Sequence, residues 1–142
     1  MSTITIYTDG ASRGNPGISL SGYIVFKNSI LINSDIIKNG IATNNFAEHN
    51  AIYHALKWCS ENMEDSNKYD IILYSDSQLA INQLNGRYKI KDVKLMELCT
   101  KTMSLFNRFK SLKFINVRRS DSNISKVDSM LNEYLDRIEH DA

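Results

Sequence analysis

Four carboxylates in this 142-residue chain stand where acids can do chemistry: Asp9, Glu48, Asp76 and Asp128. Asp9 closes Thr3-Ile4-Thr5-Ile6-Tyr7-Thr8, an alternation of β-branched and aromatic residues that predicts a strand. Asp76 closes a second strand, whose Ile71-Ile72-Leu73-Tyr74 run marks burial on both faces. Glu48 and Asp128 fall near the starts of two helical patterns. Each acid also has an ordinary structural role open to it. Asp9-Gly10 is a hairpin-turn signal. Asp76 suits a helix cap, and Asn45 with Glu48, like Ser125 with Asp128, fits a capping box. Glu48 nevertheless lies on the apolar face of its helix, where a carboxylate needs a partner. Four like charges brought together are costly without cations, and an all-oxygen ligand set favours Mg²⁺ or Mn²⁺. No histidine or cysteine is spaced for a zinc site.

The elements that must position these acids follow in order. Leu20–Lys27 and Ile30–Ile37 read as strands joined by the Asn28-Ser29 turn, and with the first strand they make an antiparallel meander. Lys38–Asn45 is polar, contains Gly40 and reads as a loop. Helical periodicity covers Ala47–Met63, a short helix Gln78–Leu84, an amphipathic helix Val93–Phe109 and a last helix from Ser125 to about Ile138. Leu112–Val117 is the fifth strand, and Arg118–Ile124 a polar loop. The order β-β-β-α-β-α-α-β-α predicts an α/β fold: a five-stranded mixed sheet with an antiparallel meander, two parallel strands and helices on both faces. In such sheets a site forms at the strand ends where the order reverses, and Asp9 and Asp76 end two strands that can be neighbours there.

Length and a 42% hydrophobic content fit one domain spanning 1–142 with its own core. No apolar run is long enough for a bilayer, and Asp9 and Arg13 interrupt any secretory pattern, so no membrane partner is expected. Cys59 and Cys99 read as small apolar residues in a reducing, cytoplasmic compartment. The net charge of +1 hides a polarity. Ten basic residues lie between Arg87 and Arg119 against only Asp92 and Glu97, which suits a polyanion on that side.

Three stretches join an acid to distinctive neighbours: Tyr7-Thr8-Asp9-Gly10-Ala11-Ser12 with Asn15-Pro16-Gly17, Thr43-Asn44-Asn45-Phe46-Ala47-Glu48, and Ser75-Asp76-Ser77-Gln78 with Asn82-Gln83-Leu84-Asn85-Gly86. On these, and on a weaker match from Val117-Arg118-Arg119 to Asp128 and Asn132, the sequence resembles type 1 ribonuclease H and the related domains of reverse transcriptases. The resemblance implies a ribonuclease H-like fold. It also implies an endonuclease that hydrolyses the RNA strand of RNA–DNA hybrids without reading sequence, leaving 5′-phosphate ends. Asp9, Glu48, Asp76 and Asp128 would be its catalytic, metal-binding quartet, holding two Mg²⁺ ions about 4 Å apart, with Mn²⁺ a possible substitute. Asp9 would bridge the ions, Asp76 and Asp128 hold one each, and Glu48 bind a metal and touch the ribose. By the same resemblance Gly10, Asn15, Asn44 and Gln78 would meet the minor groove and 2′-hydroxyls, and Thr43 a DNA-strand phosphate. The basic segment from Arg87 would meet phosphates. Nothing identifies an oligomer interface, so a monomer is expected.

The chain departs from the family in two ways. Ser120–Ser125 lacks the histidine that often precedes the final acid, and His49 and His54 read as helical surface or packing residues. The interval from Arg119 to Asp128 also looks longer than usual by about two residues, which makes Asp121 a rival for the fourth acid. Asp128 is preferred because Met130, Leu131 and Asn132 follow it as the family's last helix requires. The competing functions are a hybrid- or duplex-binding module of the same fold without catalysis, and another two-metal phosphoryl-transfer enzyme of this fold. A cluster of negative charge gains a pure binder nothing near phosphates. The Thr-Asn-Asn and Asp-Ser-Gln neighbourhoods point away from the second.

Overall fold

The computed structural model describes residues 2–141, Asp141 by its backbone only. Five strands, β1 (Thr3–Gly14), β2 (Gly17–Lys27), β3 (Ile30–Ala42), β4 (Asp70–Ser75) and β5 (Ser111–Asn116), form one sheet in the order β3-β2-β1-β4-β5. The first three pair antiparallel, and β4 and β5 join parallel on the other side of β1. Four helices complete the chain: α1 (Asn44–Asn62), α2 (Gln78–Leu84), α3 (Val93–Ser104) and α4 (Ser122–Asp141).

Strand alternation sends side chains to two cores. Ile4, Ile6, Val25, Ile71 and Leu73 pack under α1, with Ile52, Ala55 and Leu56 from that helix and Leu95 and Cys99 from α3. Leu20 and Ile24 point to the opposite face, where Val127, Leu131 and Leu135 of α4 cover them. The mixed sheet with helices on both faces is therefore as the element order predicted. No helix among the described residues is long and apolar enough to cross a membrane.

Several boundaries differ from the sequence reading, each for a local reason. The first strand does not stop at Asp9. It continues to Gly14, because β2 pairs with it down to Gly14–Gly17. Lys38–Asn45 is not a loop: β3 runs to Ala42 across a bulge at Asn39, where the register shifts between Ser19–Gly40 and Leu20–Lys38. Gly40 takes a φ of +68° there, and the Asn39 amide turns inward to donate to Ser19 and Ser21. The polar Lys-Asn-Gly run is thus the bulge's chemistry. Helix α3 ends at Ser104 rather than Phe109, since Phe106–Arg108 tighten into a 3₁₀ turn.

The caps also differ. Thr43, not Asn45, caps α1, its hydroxyl accepting from Phe46 N at 3.1 Å. Ser77, not Asp76, caps α2. The last helix starts at Ser122 rather than Ser125, so Ser125 and Asp128 form no capping box. Asp121 takes that role, its Oδ1 accepting from Asn123 N at 2.9 Å and Ile124 N at 3.1 Å. Each corrected cap leaves an acid free of the structural duty that its sequence context offered.

Candidate active site

The parallel pairing of β1 with β4 ends at Thr8–Ser75; Asp9 is the next residue of β1, and Asp76 directly follows the end of β4. They stand side by side where the pairing of these two inner strands stops. Asp9 is inside β1, but it is the first residue beyond the reach of β4, so the expected strand-end geometry holds on that side alone. Glu48 arrives from the first turns of α1. A Cβ on Gly10 would lie 2.4 Å from Glu48 N and 2.5 Å from Ala47 C, so only glycine lets the helix seat against β1. The Gly10 N–H donates to Glu48 Oε1, which fixes that carboxylate beside Asp9. Oxygens of Asp9, Glu48 and Asp76 lie within 4.8 Å of one another.

These three line a cleft of about 620 Å³ together with Gly10, Asn15, Asn44 and Asp128. Asp128 lies outside the tight trio, yet its charge reaches Asp9. Asp121, occupied as a cap, does not line the cleft. Asn15 Oδ1 accepts from Asn44 N at 3.0 Å, tying the β1–β2 turn to the start of α1. Two expected substrate residues stand apart. Thr43 lies in a neighbouring, more apolar groove with its hydroxyl engaged as a cap, and Gln78 is exposed at the start of α2.

The cleft also gathers Asn45 and Asn132, to which the sequence reading gave no site role, and Arg119, read there as part of the basic segment. Asn45 donates to Gln83 Oε1, while its own Oδ1 is buried without a partner among the described residues. Position beside Asn44 was the available signal for it. In the sequence Arg119 stands only as the end of the basic segment and as part of the weaker match that runs to Asp128 and Asn132. His49 is a packing residue, as expected, and fully buried. Its Nε2 lies 2.8 Å from Gln83 Oε1 and its Nδ1 3.3 Å from Cys99 Sγ.

Electrostatics set the chemistry. Burial, then the Asp76 charge, pushes the Asp9 carboxyl up from 3.8 to about 8; Asp128 adds to this and a hydrogen bond with Glu48 opposes it. Burial and then Asp9 hold Glu48 well above the usual carboxylate range, partly offset by the Gly10 N–H. Burial also raises Asp76, against which the Arg119 charge works. Such a group cannot ionise fully at neutral pH by itself. The donor set is oxygen only, and a divalent cation both fits it and restores the charged forms. The three carboxylates are grouped closely enough to hold a metal ion.

The comparisons agree with that chemistry. Residues 1–128 match the RNase H family profile. The chain is 35% identical over 133 residues to the ribonuclease HI of Halobacterium salinarum, covering 92% of this chain and 63% of that protein. It is 29% identical to the bifunctional protein Rv2228c of Mycobacterium tuberculosis, over 98% of this chain and 35% of that one. It thus spans less than two thirds of either relative's length. Among solved structures, LC11-RNase H1 in complex with an RNA/DNA hybrid superposes with a TM-score of 0.85 at 29% identity, over 95% of this chain and 98% of that one. With its acids gathered at the end of the β1–β4 pair and the family profile running through Asp128, the chain belongs to the RNase H family.

Proposed function

We propose that this protein is a divalent-metal-dependent endonuclease that hydrolyses the RNA strand of RNA–DNA hybrids. The observation carrying the proposal is the cleft itself: four carboxylates from four elements, with Gly10, Asn15 and Asn44 on the adjoining wall. Asp9, Glu48, Asp76 and Asp128 would hold two Mg²⁺ ions, with Mn²⁺ as a substitute. Bound there, the cations supply Lewis-acid charge at the phosphate and acidify a water. The chain's own residues do the rest. Gly10 holds Glu48 in place through its N–H. Asn15 and Asn44 present amides to 2′-hydroxyls across the shallow minor groove, a contact that tells RNA from DNA without reading sequence. Gln78 and Thr43, farther out, meet the rim of the hybrid. Cleavage breaks the P–O3′ bond, leaving a 3′-hydroxyl and a 5′-phosphate. The protein acts as a monomer in a reducing, cytoplasmic setting, for which the two buried free cysteines are suited.

The test is cleavage of end-labelled RNA–DNA hybrid beside RNA–RNA and DNA–DNA duplexes, with Asp9→Asn and a chelator as controls. Cutting of the hybrid's RNA strand alone, lost in both controls, is expected. Tight hybrid binding without cutting in Mg²⁺ or Mn²⁺ makes the protein a binding module instead.

A further inference from the structure

Arg13 lies on β1, beyond Asp9, and reaches across to α4. Its Nη1 donates to Glu139 Oε2 at 2.8 Å, and its Nη2 to Asp136 Oδ1 at 2.7 Å. The same Nη2 lies 3.3 Å from Asn132 Oδ1 and 3.5 Å from Asn132 O. Asn132 in turn donates from Nδ2 to the Asp128 carbonyl at 3.0 Å. The orientation of that amide follows from its neighbours. A guanidinium only donates and a carbonyl only accepts, so Oδ1 faces Arg13 and Nδ2 faces Asp128. A continuous hydrogen-bonded path therefore runs from β1 to the backbone of Asp128.

Stability alone is a poor reason for this arrangement. Asp136 and Glu139 are 69% and 51% exposed, and ion pairs in that setting contribute little. The geometry asks for a planar fork, because the three partners fall at positions 132, 136 and 139 on one face of α4. Asp128 is also the acid that most needs placing. Asp9 lies within β1 and Asp76 directly follows β4, where the β1–β4 pairing ends, and Glu48 is tied to Gly10, whereas Asp128 rides on a helix packed against the opposite face of the sheet.

We propose that Arg13 is a positioning residue: it fixes α4 along β1 and so holds Asp128 at the cleft opposite Asp9, through Asn132. The proposal rests on reading the cleft as a cation-dependent site. A lysine at position 13 keeps one charge contact but cannot span the acids and Asn132 together.

The experiment measures Mg²⁺ and Mn²⁺ binding to the free protein by calorimetry, and hydrogen exchange of the α4 amides, in wild type, Arg13→Lys and Arg13→Ala. In Arg13→Lys the melting temperature is expected to stay near wild type while divalent affinity falls about tenfold. Exchange at residues 128–132 quickens. Hybrid cleavage drops at low Mg²⁺ and recovers at saturating Mg²⁺. Arg13→Ala shows the same changes more strongly, and should it fail to fold, Arg13→Lys decides. Wild-type divalent affinity and exchange in Arg13→Lys would overturn the proposal, leaving Arg13 a surface ion pair. Should wild type itself bind no divalent cation and cut nothing, the nuclease reading fails separately, and quickened exchange at 128–132 in Arg13→Lys would still uphold the brace.

Discussion

Gly22 lies directly across the β1–β2 ladder from Asp9, on the strand that α4 covers. A Cβ at position 22 would stand 2.8 Å from Leu131 Cδ2 and 3.2 Å from Val127 Cγ1. Bare backbone opposite Asp9 is what lets α4 close down beside it, carrying Asp128. Gly22→Ala is therefore expected to destabilise the protein by roughly 1–3 kcal/mol in urea unfolding, through overpacking. It should also cut less hybrid than its folded fraction accounts for, because α4 is displaced. Unchanged stability would mean that Leu131 and Val127 simply give way.

The crowded carboxylates make function and stability oppose each other. Asp9 titrates near 8 in the folded chain against an ordinary value of 3.8. The folded state thus binds the extra proton, so this contribution to stability is complete below about pH 4 and is lost as pH rises towards 8. In chelator the protein should melt at a lower temperature at pH 8 than at pH 6. Asp9→Asn removes the loss, stabilising the metal-free protein by on the order of 2–4 kcal/mol at pH 8 while abolishing cleavage. Saturating Mg²⁺ should narrow that gap, because it binds the folded wild type. Thermal scans of both proteins across pH, with and without Mg²⁺, give the answer.

Asp121 and Asp128 separate by the same logic. Asp121→Ala removes the cap of α4 and should lower stability by about 1 kcal/mol with specific activity retained. Asp128→Asn should leave stability within about 1 kcal/mol of wild type or above it, and abolish cleavage in Mg²⁺. The reverse pattern in a cleavage assay would return the fourth-acid role to Asp121.

His49 has a tautomer fixed by its surroundings. Gln83 Oε1 can only accept, so Nε2 carries the proton and Nδ1 accepts from the Cys99 thiol. Burial lowers its pKa, partly opposed by Gln83. The neutral form is the folded one, and its stability contribution is present above about pH 6.5 and lost as pH falls below that. Nitrogen-15 NMR should show a neutral Nε2–H ring at pH 6. An imidazolium there would contradict the assignment.

Much of the site was legible because its acids come with local company: a strand before Asp9 and Asp76, and a helical pattern after Thr43-Asn44-Asn45. What stayed hidden depends on contacts far apart in the chain. Arg119 joins Asp9 and Glu48 in the cleft only once distant parts of the chain meet, and the bulge at Asn39 shows only once β2 is laid beside β3. The caps misled for a different reason. Ser, Thr, Asn and Asp crowd every helix start here, and which oxygen meets which N–H is settled by backbone geometry that composition does not encode. Thr43 and Asp121 took the caps, and Glu48 and Asp128 were left for the cleft.

The strand order β3-β2-β1-β4-β5 also has a temporal meaning. Among these elements the central strand precedes the others, its parallel neighbour begins only at Asp70, and the helix bearing Asp128 follows them all. A chain still emerging from the ribosome can form the meander, yet it has no complete acidic cleft until α4 folds back over β1 and β2. The trio of Asp9, Glu48 and Asp76 can gather without α4, whereas the cleft that includes Asp128 is complete only in the finished fold.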